Sequence, residues 1–340
     1  MGNSCSEPNV SDENKYILYR DYYNYDDYYK YHKDDTPASR ELRYLLFKKY
    51  RKINIALKVT QITDEEFYKK LSSNPVYYRI INKLTEKLKL IPFDRDIMYA
   101  NMKPFKITNT CDGETQYFKG SFNKNGECSG EGVWLNDYNI YYGNFRNDLF
   151  NGKGVFMNQK GDFYFGEWIN GLPNGRGMVV YNGMISYDGC FVDGQRSGKG
   201  MEKFPNGELY IGDFANGQKN GIGKYVFSGG GVYEGCLKNS QFDGAGTYLW
   251  KNGQKYIGEF NNGKMNGHGT FSWRDGSIFN GNYTNNCKQG EGEYIWPDGT
   301  SYQGNWINDN PSGNGILNVP RIGFKENISY RNGMIFSRID

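Results

Sequence analysis

Aromatic, small and polar positions recur with a period of 23 residues between residues 118 and 323. In the copy that begins at Tyr256, a glycine follows at Gly258, a second ring at Phe260, and a Gly-x-Gly pair ends at Gly269. Nine consecutive copies keep this spacing, which is typical of a repeat array whose units pack mainly on their neighbours. The first position of the nine copies is occupied by Phe118, Tyr141, Tyr164, Tyr187, Tyr210, Tyr233, Tyr256, Phe279 and Tyr302.

Each copy predicts one β-hairpin. Tyr256, Gly258 and Phe260 stand at alternating positions, so they share one face of a strand. The turn inside the copy is Asn262–Gly263, and both residue types accept the positive φ that hairpin turns need. The joint to the next copy is Arg274–Gly276, with the sequence Arg-Asp-Gly, which suits a type I turn followed by a left-handed glycine.

The strand glycines need an explanation, because glycine inside a strand normally weakens it. Each glycine shares a face with large rings, so we expect a ring from the neighbouring strand to lie over the bare backbone. A phosphate-binding loop is a poor alternative, because the Gly-x-Gly pairs lack the strand-to-helix context of nucleotide-binding loops.

The motif Tyr-x-Gly-x-Phe/Trp, followed by Gly and then by Gly-x-Gly-x-Phe/Tyr, resembles the repeat of the MORN family, short for membrane occupation and recognition nexus. The resemblance covers residues 118–323. It implies a mainly β protein in which nine successive hairpins form an elongated single-layer antiparallel sheet. It also implies a role as a scaffold or membrane-linked adaptor, without identifying a partner.

The sequence divides into five segments. Residues 1–37 predict an acidic, tyrosine-rich tether without structure, 38–92 a small helical region and 93–117 a connector to the sheet. The nine repeats occupy 118–323, and 324–340 predict a capping hairpin at the last edge of the array. Two alternatives for the tether stay open, namely phosphorylation of its tyrosines or packing of these tyrosines back on the sheet.

The first six residues, Met-Gly-Asn-Ser-Cys-Ser, match the pattern for N-myristoylation. Gly2 is the expected myristoylation site, and the neighbouring Cys5 is the expected palmitoylation site. The pairing makes physical sense, because one myristoyl chain binds a membrane only marginally and a second signal is needed. Membrane lipids are therefore one expected partner.

The stretch 37–60 predicts a basic amphipathic helix. Three interpretations remain: it packs on the following helices with its charges in water, it lies on a membrane surface, or it binds calmodulin. The capping-box spacing from Thr63 to Glu66 predicts a second helix, and 74–91 a third. Together the helices form either a small bundle or a cover over part of the ring-lined face. The candidate membrane-contact residues are Arg43, Lys48, Lys49, Arg51 and Lys52.

Composition favours a one-layer sheet, and the charge distribution argues against one class of partner. Only 37% of the residues are hydrophobic and 45 are glycine, which suits a one-layer sheet lined by rings better than a two-layer core. The net charge is −4 over residues 7–37, +9 over 38–110 and −2 over 111–340. Because the repeats lack a basic face, we expect no nucleic acid among the partners.

The cysteines, together with the lack of a signal peptide, indicate the cellular compartment of the protein. Cys190 and Cys236 occupy equivalent positions two copies apart. Four strand spacings place them roughly 19 Å apart, beyond the bridging limit of about 7 Å, so we expect free thiols. The sequence shows no signal peptide and no apolar run long enough to cross a bilayer. We expect peripheral, lipid-anchored attachment to the cytoplasmic face of the plasma membrane or of internal membrane sacs, with cytoskeletal association as a further option.

The sequence predicts no enzyme, no metal site and no cofactor. Its histidines are His32 and His268, and neither belongs to a nucleophilic triad or a metal-ligand cluster. Glu167, Asp213 and Glu259 follow a strand glycine and point away from the rings. We expect these acids to be solvated or paired across strands.

Two functional classes remain. The first is a non-enzymatic scaffold that links a cytoplasmic membrane face to cytoskeletal or membrane-shaping partners through the ring-lined groove of the repeats. The second is a regulatory module that positions or controls a signalling enzyme such as a lipid kinase. A single-layer sheet leaves its ring-lined face partly open, so we expect self-association or partner binding there, with Trp306 accessible. The candidate groove residues are Tyr256, Phe260, Phe279, Tyr283, Tyr302 and Trp306.

Overall fold

The computed structural model describes residues 57–73, 104–109, 115–331 and 334–338. These residues belong to two compact units, an N-terminal unit that ends at Gly200 and a C-terminal unit that begins at Met201. The predicted acylation sites, the predicted acidic tether, residues 37–56 of the predicted basic helix and the predicted third helix lie outside the described residues.

The N-terminal unit is an antiparallel sheet with one short helix. Within it each strand from β1 to β8 pairs with the next one along the chain, so the sheet is a meander of hairpins. Its elements are β1 (Leu57–Gln61), α1 (Asp64–Ser72), β2 (Pro104–Asn109), β3 (Thr115–Phe122), β4 (Cys128–Leu135), β5 (Asn139–Arg146), β6 (Leu149–Asn158), β7 (Phe163–Ile169), β8 (Leu172–Tyr181) and β9 (Met184–Val192).

The C-terminal unit follows the same plan. β10 (Gln195–Lys203) contains the boundary between the units, and each strand from β11 to β21 pairs antiparallel with the next. A 3-10 turn, Pro320–Ile322, precedes the last two strands. The strands are β11 (Leu209–Ala215), β12 (Gln218–Val226), β13 (Val232–Lys238), β14 (Gln241–Leu249), β15 (Lys255–Asn261), β16 (Lys264–Ser272), β17 (Ile278–Thr284), β18 (Cys287–Ile295), β19 (Ser301–Ile307), β20 (Asn310–Val319), β21 (Phe324–Arg331) and β22 (Met334–Arg338).

The predicted fold class, a mainly β protein of successive antiparallel hairpins with a small N-terminal helical element, is confirmed. The turns also have the predicted geometry, with φ of 48° at Asn262 and 81° at Gly263. In the joint after β16, the Gly276 N–H donates to the Trp273 carbonyl at 3.2 Å, and Gly276 has φ 93°. β21 and β22 form a hairpin where the sequence predicts a capping hairpin.

Glycines pair with glycines across neighbouring strands and form what we call the glycine row. Gly258 of β15 lies opposite Gly246 of β14 and opposite Gly269 of β16. After Gly258 the register shifts by a β-bulge, so Phe260 lies opposite Met265. The same register in successive hairpins continues the row through Gly281, Gly292, Gly304 and Gly315 in the C-terminal unit.

Hydrogen bonds join the turns of hairpins to the hairpins that precede them. The Gly263 N–H donates to the Phe242 carbonyl at 2.9 Å. In the next copy the turn residue Asn286 makes two such bonds, because its N–H donates to the Met265 carbonyl at 3.0 Å and its Oδ1 accepts from the Met265 N–H at 2.7 Å. These bonds join turns of successive copies, so they favour copies of constant length.

Helix α1 begins at the predicted capping box. The Glu66 N–H donates to Thr63 Oγ1 at 3.1 Å, and the Thr63 N–H donates to Glu66 Oε2 at 3.1 Å. Phe67 is fully buried in an apolar cluster that includes Val133 and Leu135. Trp134 between them belongs to the ring-lined face, so α1 covers the opposite face of the sheet. The alternative that the helices cover part of the ring-lined face is therefore wrong for α1.

Two ion pairs also hold α1 on the sheet. Lys119, which is almost completely buried, places its Nζ 2.5 Å from Asp64 Oδ1. The Lys70 Nζ lies 2.5 Å from Asp137 Oδ1. The sheet offers apolar side chains to the helix here, whereas the copy that begins at Tyr256 carries Thr and Ser at the positions equivalent to Val133 and Leu135.

Two predictions about the N-terminal segments are corrected. The basic helix was expected to extend to Thr60, yet 57–61 form strand β1, paired with β2. The predicted connector 93–117 contains β2 and the beginning of β3. β-Branched Val59 and Thr60 favour the extended chain, and the edge of β2 supplies the hydrogen bonds that a strand needs.

The glycine row predicts a sharp difference between two Gly→Ala substitutions. A Cβ at Gly258 would lie 2.5 Å from Tyr256 Oη and 2.6 Å from the Gly269 Cα, whereas a Cβ at the turn residue Gly229 would meet nothing within 4 Å. We expect Gly258→Ala to lower the free energy of unfolding by about 1–3 kcal/mol, as overpacking does, and Gly229→Ala to leave it nearly unchanged. Calorimetric melting of both variants checks this; equal melting temperatures would contradict it.

Candidate partner-binding surface

Each first-position ring lies across two glycines. The Tyr256 ring covers Gly258, two residues ahead on its own strand, and Gly269 on the next strand. Its hydroxyl donates to the carbonyl of the bulged residue Glu259 at 3.0 Å. The prediction of a ring over each glycine is confirmed, but for Gly258 the ring comes from the same strand, since the bulge brings the Glu259 carbonyl within reach of the hydroxyl.

The rings form a continuous ladder within the C-terminal unit. Tyr256 meets Tyr283 edge to face with ring centroids 5.3 Å apart, Tyr283 meets Phe279 at 5.4 Å, and Phe279 meets Trp306 at 5.2 Å. Trp306 then contacts Tyr302 at 5.6 Å. Edge-to-face pairs at these separations are favourable for aromatic rings.

The six candidate groove residues are buried within the chain, with at most 6% of any side chain exposed. The expectation that these rings leave an open strip is therefore wrong, and Trp306, only 4% exposed, is not an accessible contact residue. Its indole N–H also donates inside the protein, to the Gly292 carbonyl at 3.1 Å.

In several copies the side chain nine residues after the first ring packs on the ladder, and we call this position the closing position. Phe242 stacks on Tyr233 with centroids 3.5 Å apart, and Phe150 stacks on Tyr141 at 3.7 Å in the N-terminal unit. Met265 occupies the closing position in the copy that begins at Tyr256, and it is 4% exposed. The rings are therefore covered, and the described residues place no second layer of secondary structure over them.

Two copies place lysine at the closing position. Lys219 pairs with Glu202 at 2.8 Å and lies over the Phe204 ring, 4.9 Å from its centroid. Lys288 lies 5.1–5.5 Å from the centroids of four rings, which supply negative π faces to the ammonium group. The four rings are those of Trp273, Phe279, Tyr294 and Trp306.

A second series of rings runs along the end of the hairpins where copies join. From Phe204 to Trp296, successive centroids are 4.4–6.0 Å apart and the planes are tilted by 27–60°. Its outermost members, Trp250, Trp273 and Trp296, are half-buried. We call these three residues the tryptophan row. Their spacing of 23 residues was visible in the sequence, although the prediction of groove residues passed over them.

The six tryptophans differ in the use of their indole N–H groups. Trp134 donates to Gln116 Oε1 at 2.9 Å, Trp168 to the Gly154 carbonyl at 3.2 Å, and Trp306 to Gly292. Among the described residues, none accepts a hydrogen bond from the indoles of the tryptophan row. Within the described ranges these three donors are therefore left without a protein acceptor.

The face opposite the rings carries the recurrent acids. The Glu259 carboxylate lies over left-handed Gly267, as Glu167 lies over Gly175. Asp213 accepts the Ile222 N–H at 3.0 Å. His268 is exposed on this face. Within the described ranges no cluster of three or more His, Cys, Asp or Glu is placed to hold a metal ion.

The cysteines in the described part of the chain are free thiols, and Cys190 is exposed. No helix among the described residues has the length and apolar character needed to cross a membrane. The lipidation candidates Gly2 and Cys5, and the membrane-contact candidates Arg43, Lys48, Lys49, Arg51 and Lys52, lie outside the described residues. Their assignments stay predictions.

Within each unit the geometry defines a class of protein, a repeat protein built from successive antiparallel hairpins. The MORN repeat model matches eight consecutive copies that together cover half of the chain, and the protein belongs to the MORN repeat family. No curated protein matches the chain. The matched copies are residues 141–163, 164–182, 187–208, 210–232, 233–255, 256–278, 279–301 and 302–317.

The first copy in the chain, which begins at Phe118, lies outside those matches although β3 and β4 form its hairpin. Its Gly-x-Gly pair is displaced by one residue, which explains the weaker motif. Membership of this family indicates a repeat-based binding or scaffold module, and proteins built from such repeats are generally non-catalytic.

The tyrosine hydroxyls give a matched pair of substitutions. Tyr256→Phe removes a hydrogen bond to the Glu259 carbonyl, so it should cost about 0.5–1.5 kcal/mol of unfolding free energy. The buried Tyr302 hydroxyl has no hydrogen-bond partner in the described structure. The register of its hairpin also differs, since Asn305 pairs with Ser312 directly after Gly304. Tyr302→Phe should therefore be neutral or stabilising in thermal melts. A larger loss for Tyr302→Phe than for Tyr256→Phe would refute this account.

Burial also predicts alkaline instability. It raises the pKa of the phenols of Tyr141, Tyr164, Tyr233 and Tyr256 above their ordinary value of about 10. Above that pH the unfolded chain releases protons that the folded chain retains, so the free energy of unfolding should fall as pH rises. Melting temperatures measured from about pH 8 to about pH 11 should decrease beyond pH 10. Complete tyrosine ionisation with an intact β-sheet circular dichroism signal would contradict this.

Proposed function

We propose that the protein is a membrane-tethered, non-enzymatic scaffold. Its repeats bind a protein partner, and its N-terminal segment holds the array on the cytoplasmic face of a membrane. The observation that carries the proposal is the combination in one chain of a repeat-based binding module with the lipidation candidates Gly2 and Cys5. Cytoskeletal or membrane-shaping proteins are the proposed partners.

The charge distribution supports membrane contact by the N-terminal segment and partner binding by the repeats. Residues 38–110 carry a net charge of +9, whereas residues 111–340, which contain the repeats, carry −2. An anionic leaflet attracts each Lys or Arg near its surface by about 1 kcal/mol, so the attraction falls on the N-terminal segment. A myristoyl chain alone binds marginally, and a palmitoyl chain or a basic segment such as Arg43–Lys52 provides the second signal.

The architecture of the repeats supports a binding role in a second way. Within each unit the rings are buried against one another, so the array needs no partner in order to cover its ladder. The partner therefore contacts the margins and the opposite face, and the chain folds before the partner binds. A scaffold with these properties presents a preformed surface, which lowers the ordering cost of association.

Membrane attachment is predicted to depend on Gly2. Gly2→Ala should move the protein from the membrane fraction to the soluble fraction of cells, because no myristoyl chain can be attached. Cys5→Ala should give partial retention, since one acyl chain binds weakly. Asn3→Ala is the matched control, because it keeps Gly2 and Ser6, and it should fractionate like the wild type. Unchanged fractionation of Gly2→Ala would end the tether proposal.

Proximity labelling with the wild type and with Gly2→Ala tests the scaffold role. Cytoskeletal or membrane-shaping proteins should be labelled by the wild type and lost with the variant. Stoichiometric labelling of one signalling enzyme instead would favour a regulatory module over a scaffold.

A further inference from the structure

Strands β11–β14 of the C-terminal unit present an apolar area on the face opposite the rings, which we call the aliphatic face. Ile211, Ile222 and Leu249 of this face are 49%, 63% and 44% exposed. A contiguous area of exposed apolar side chains usually marks an interaction site. The apolar members of the aliphatic face are Leu209, Ile211, Ile222, Val226, Val232 and Leu249.

The register of the strands aligns these side chains in a row. Leu209 pairs with Val226, Val226 with Val232, and Val232 with Leu249, so the row is aliphatic on all four strands. On the next strand, β15, the partner of Leu249 is Lys255. The aliphatic row therefore ends with β14 on this side.

A second row, two residues nearer the glycine row, carries one cation and one anion. Ile211 pairs with Lys224, Lys224 with Glu234, and Glu234 with Thr247. The Lys224 Nζ lies 3.6 Å from Glu234 Oε2, and both side chains are exposed. Such an exposed ion pair adds little to the stability of one chain. Its two charges stand side by side on the middle strands of the aliphatic face, β12 and β13.

The charges are self-complementary about a two-fold axis that runs parallel to the strands between β12 and β13. In a second copy placed face to face across this axis, β13 lies over β12 and β14 lies over β11. Lys224 then faces the partner's Glu234, and Glu234 faces the partner's Lys224. A two-fold interface requires this reciprocity, because the same patch serves both subunits.

The apolar side chains correspond across the same axis. Val226 faces the partner's Val232, so the aliphatic row meets its own copy. At the turn side of the ion pair, Ile222 faces the partner's Cys236, because these two residues occupy paired positions on β12 and β13. Face-to-face sheets pack about 10 Å apart with their strands nearly aligned, which is a common arrangement of two antiparallel sheets.

The other charges near this face are nearly balanced. Asp213 and Asp243 accept backbone N–H groups of their own unit at 3.0 and 3.5 Å, so these carboxylates are held back on the sheet, and Lys238 is exposed. Together with the central ion pair, β11–β14 carry a net charge of −1 on this face, and Lys255 and Glu259 of β15 cancel. A nearly neutral face gives an anionic membrane or a strongly charged protein no electrostatic advantage, whereas a second copy fits it.

We propose that the aliphatic face is the interface of a two-fold dimer of this chain, in which Lys224 and Glu234 form reciprocal ion pairs between the subunits. The inference goes beyond the proposed scaffold function, since it gives the scaffold two repeat arrays and two copies of the lipidation candidates. It requires neither lipidation nor a foreign partner, so the two proposals fail separately.

Charge reversal gives a test that a role of the ion pair within one chain cannot imitate. Lys224→Glu leaves two acids at the centre of the face and Glu234→Lys leaves two bases, so each variant alone should dimerise about tenfold or more weakly than the wild type. In an equimolar mixture the acidic face of one variant meets the basic face of the other. The mixture should therefore form a heterodimer about as tight as the wild-type dimer. Sedimentation velocity of the full chain over a concentration series measures these association constants.

Glu291→Lys is the matched control, because Glu291 is exposed on the same face but belongs to β18, outside the aliphatic face. This variant should dimerise like the wild type. A wild type that stays monomeric at every concentration, or a mixture that associates no better than its two components, would overturn the proposal. A dimer weakened as much by Glu291→Lys as by Glu234→Lys would count equally against it.

The apolar part of the interface has its own matched pair. Leu249 and Ile307 are both exposed aliphatic residues opposite the rings, but Ile307 belongs to β19. Leu249→Gln should weaken dimerisation by about 3- to 10-fold, because Leu249 meets the partner's Leu209, and Ile307→Gln should leave it unchanged. Equal effects of the two substitutions would show that the aliphatic face is not the interface.

A further measurement needs no variant. Cys236 and Cys287 are free thiols of intermediate exposure, and Cys236 lies in the aliphatic face whereas Cys287 lies outside it. As the protein concentration rises, alkylation of Cys236 by N-ethylmaleimide should slow several-fold and that of Cys287 should not, as read by peptide mass spectrometry. Unchanged rates at both thiols would reject the dimer. Protection of Cys236 by anionic lipid vesicles, but not by higher protein concentration, would reject it in favour of a membrane surface.

Discussion

The structure depends on one contact, the first-position ring that lies across two glycines on adjacent strands. Tyr256 covers Gly258 and Gly269, and a Cβ at either glycine would enter the space of the ring. The hydroxyl then bonds to the carbonyl of the bulged residue Glu259. Because this arrangement needs paired glycines and a bulge in every hairpin, it fixes the register of the strands. The turn-to-turn hydrogen bonds favour a constant number of residues in each copy.

That contact explains how a sheet of hairpins covers its rings without a second layer. A ring lying flat against bare backbone leaves its other surface for the edge of the next ring and for the closing position above it. Phe242 and Met265 occupy that position with apolar side chains. Lys288 occupies it with an aliphatic stem and an ammonium group that lies near the faces of the rings. The half-buried tryptophan row, whose indole N–H groups no described residue accepts, lies at the margin of the ladder.

The side chains on the face opposite the rings differ between the two units. In the N-terminal unit the face opposite the rings is apolar, and Phe67 of α1 is buried in it while Lys119 pairs with Asp64. In the C-terminal unit the equivalent positions include polar Thr270 and Ser272, which can face water. Family membership identifies a binding module, and these local differences between copies, rather than the shared motif, determine which surface a partner can use.

The sequence by itself determined the hairpins, their turns and the capping box of α1, because these depend on local φ preferences, alternation and short-range hydrogen bonds at Asn262–Gly263 and Thr63. It could not determine that Trp306 is buried and Trp273 half-buried, since exposure depends on rings and closing residues contributed by neighbouring copies. Nor could it show that 57–61 form a strand or that α1 packs opposite the rings. Those outcomes depend on the edge of β2 and on the apolar cluster around Val133, which only the folded sheet brings together.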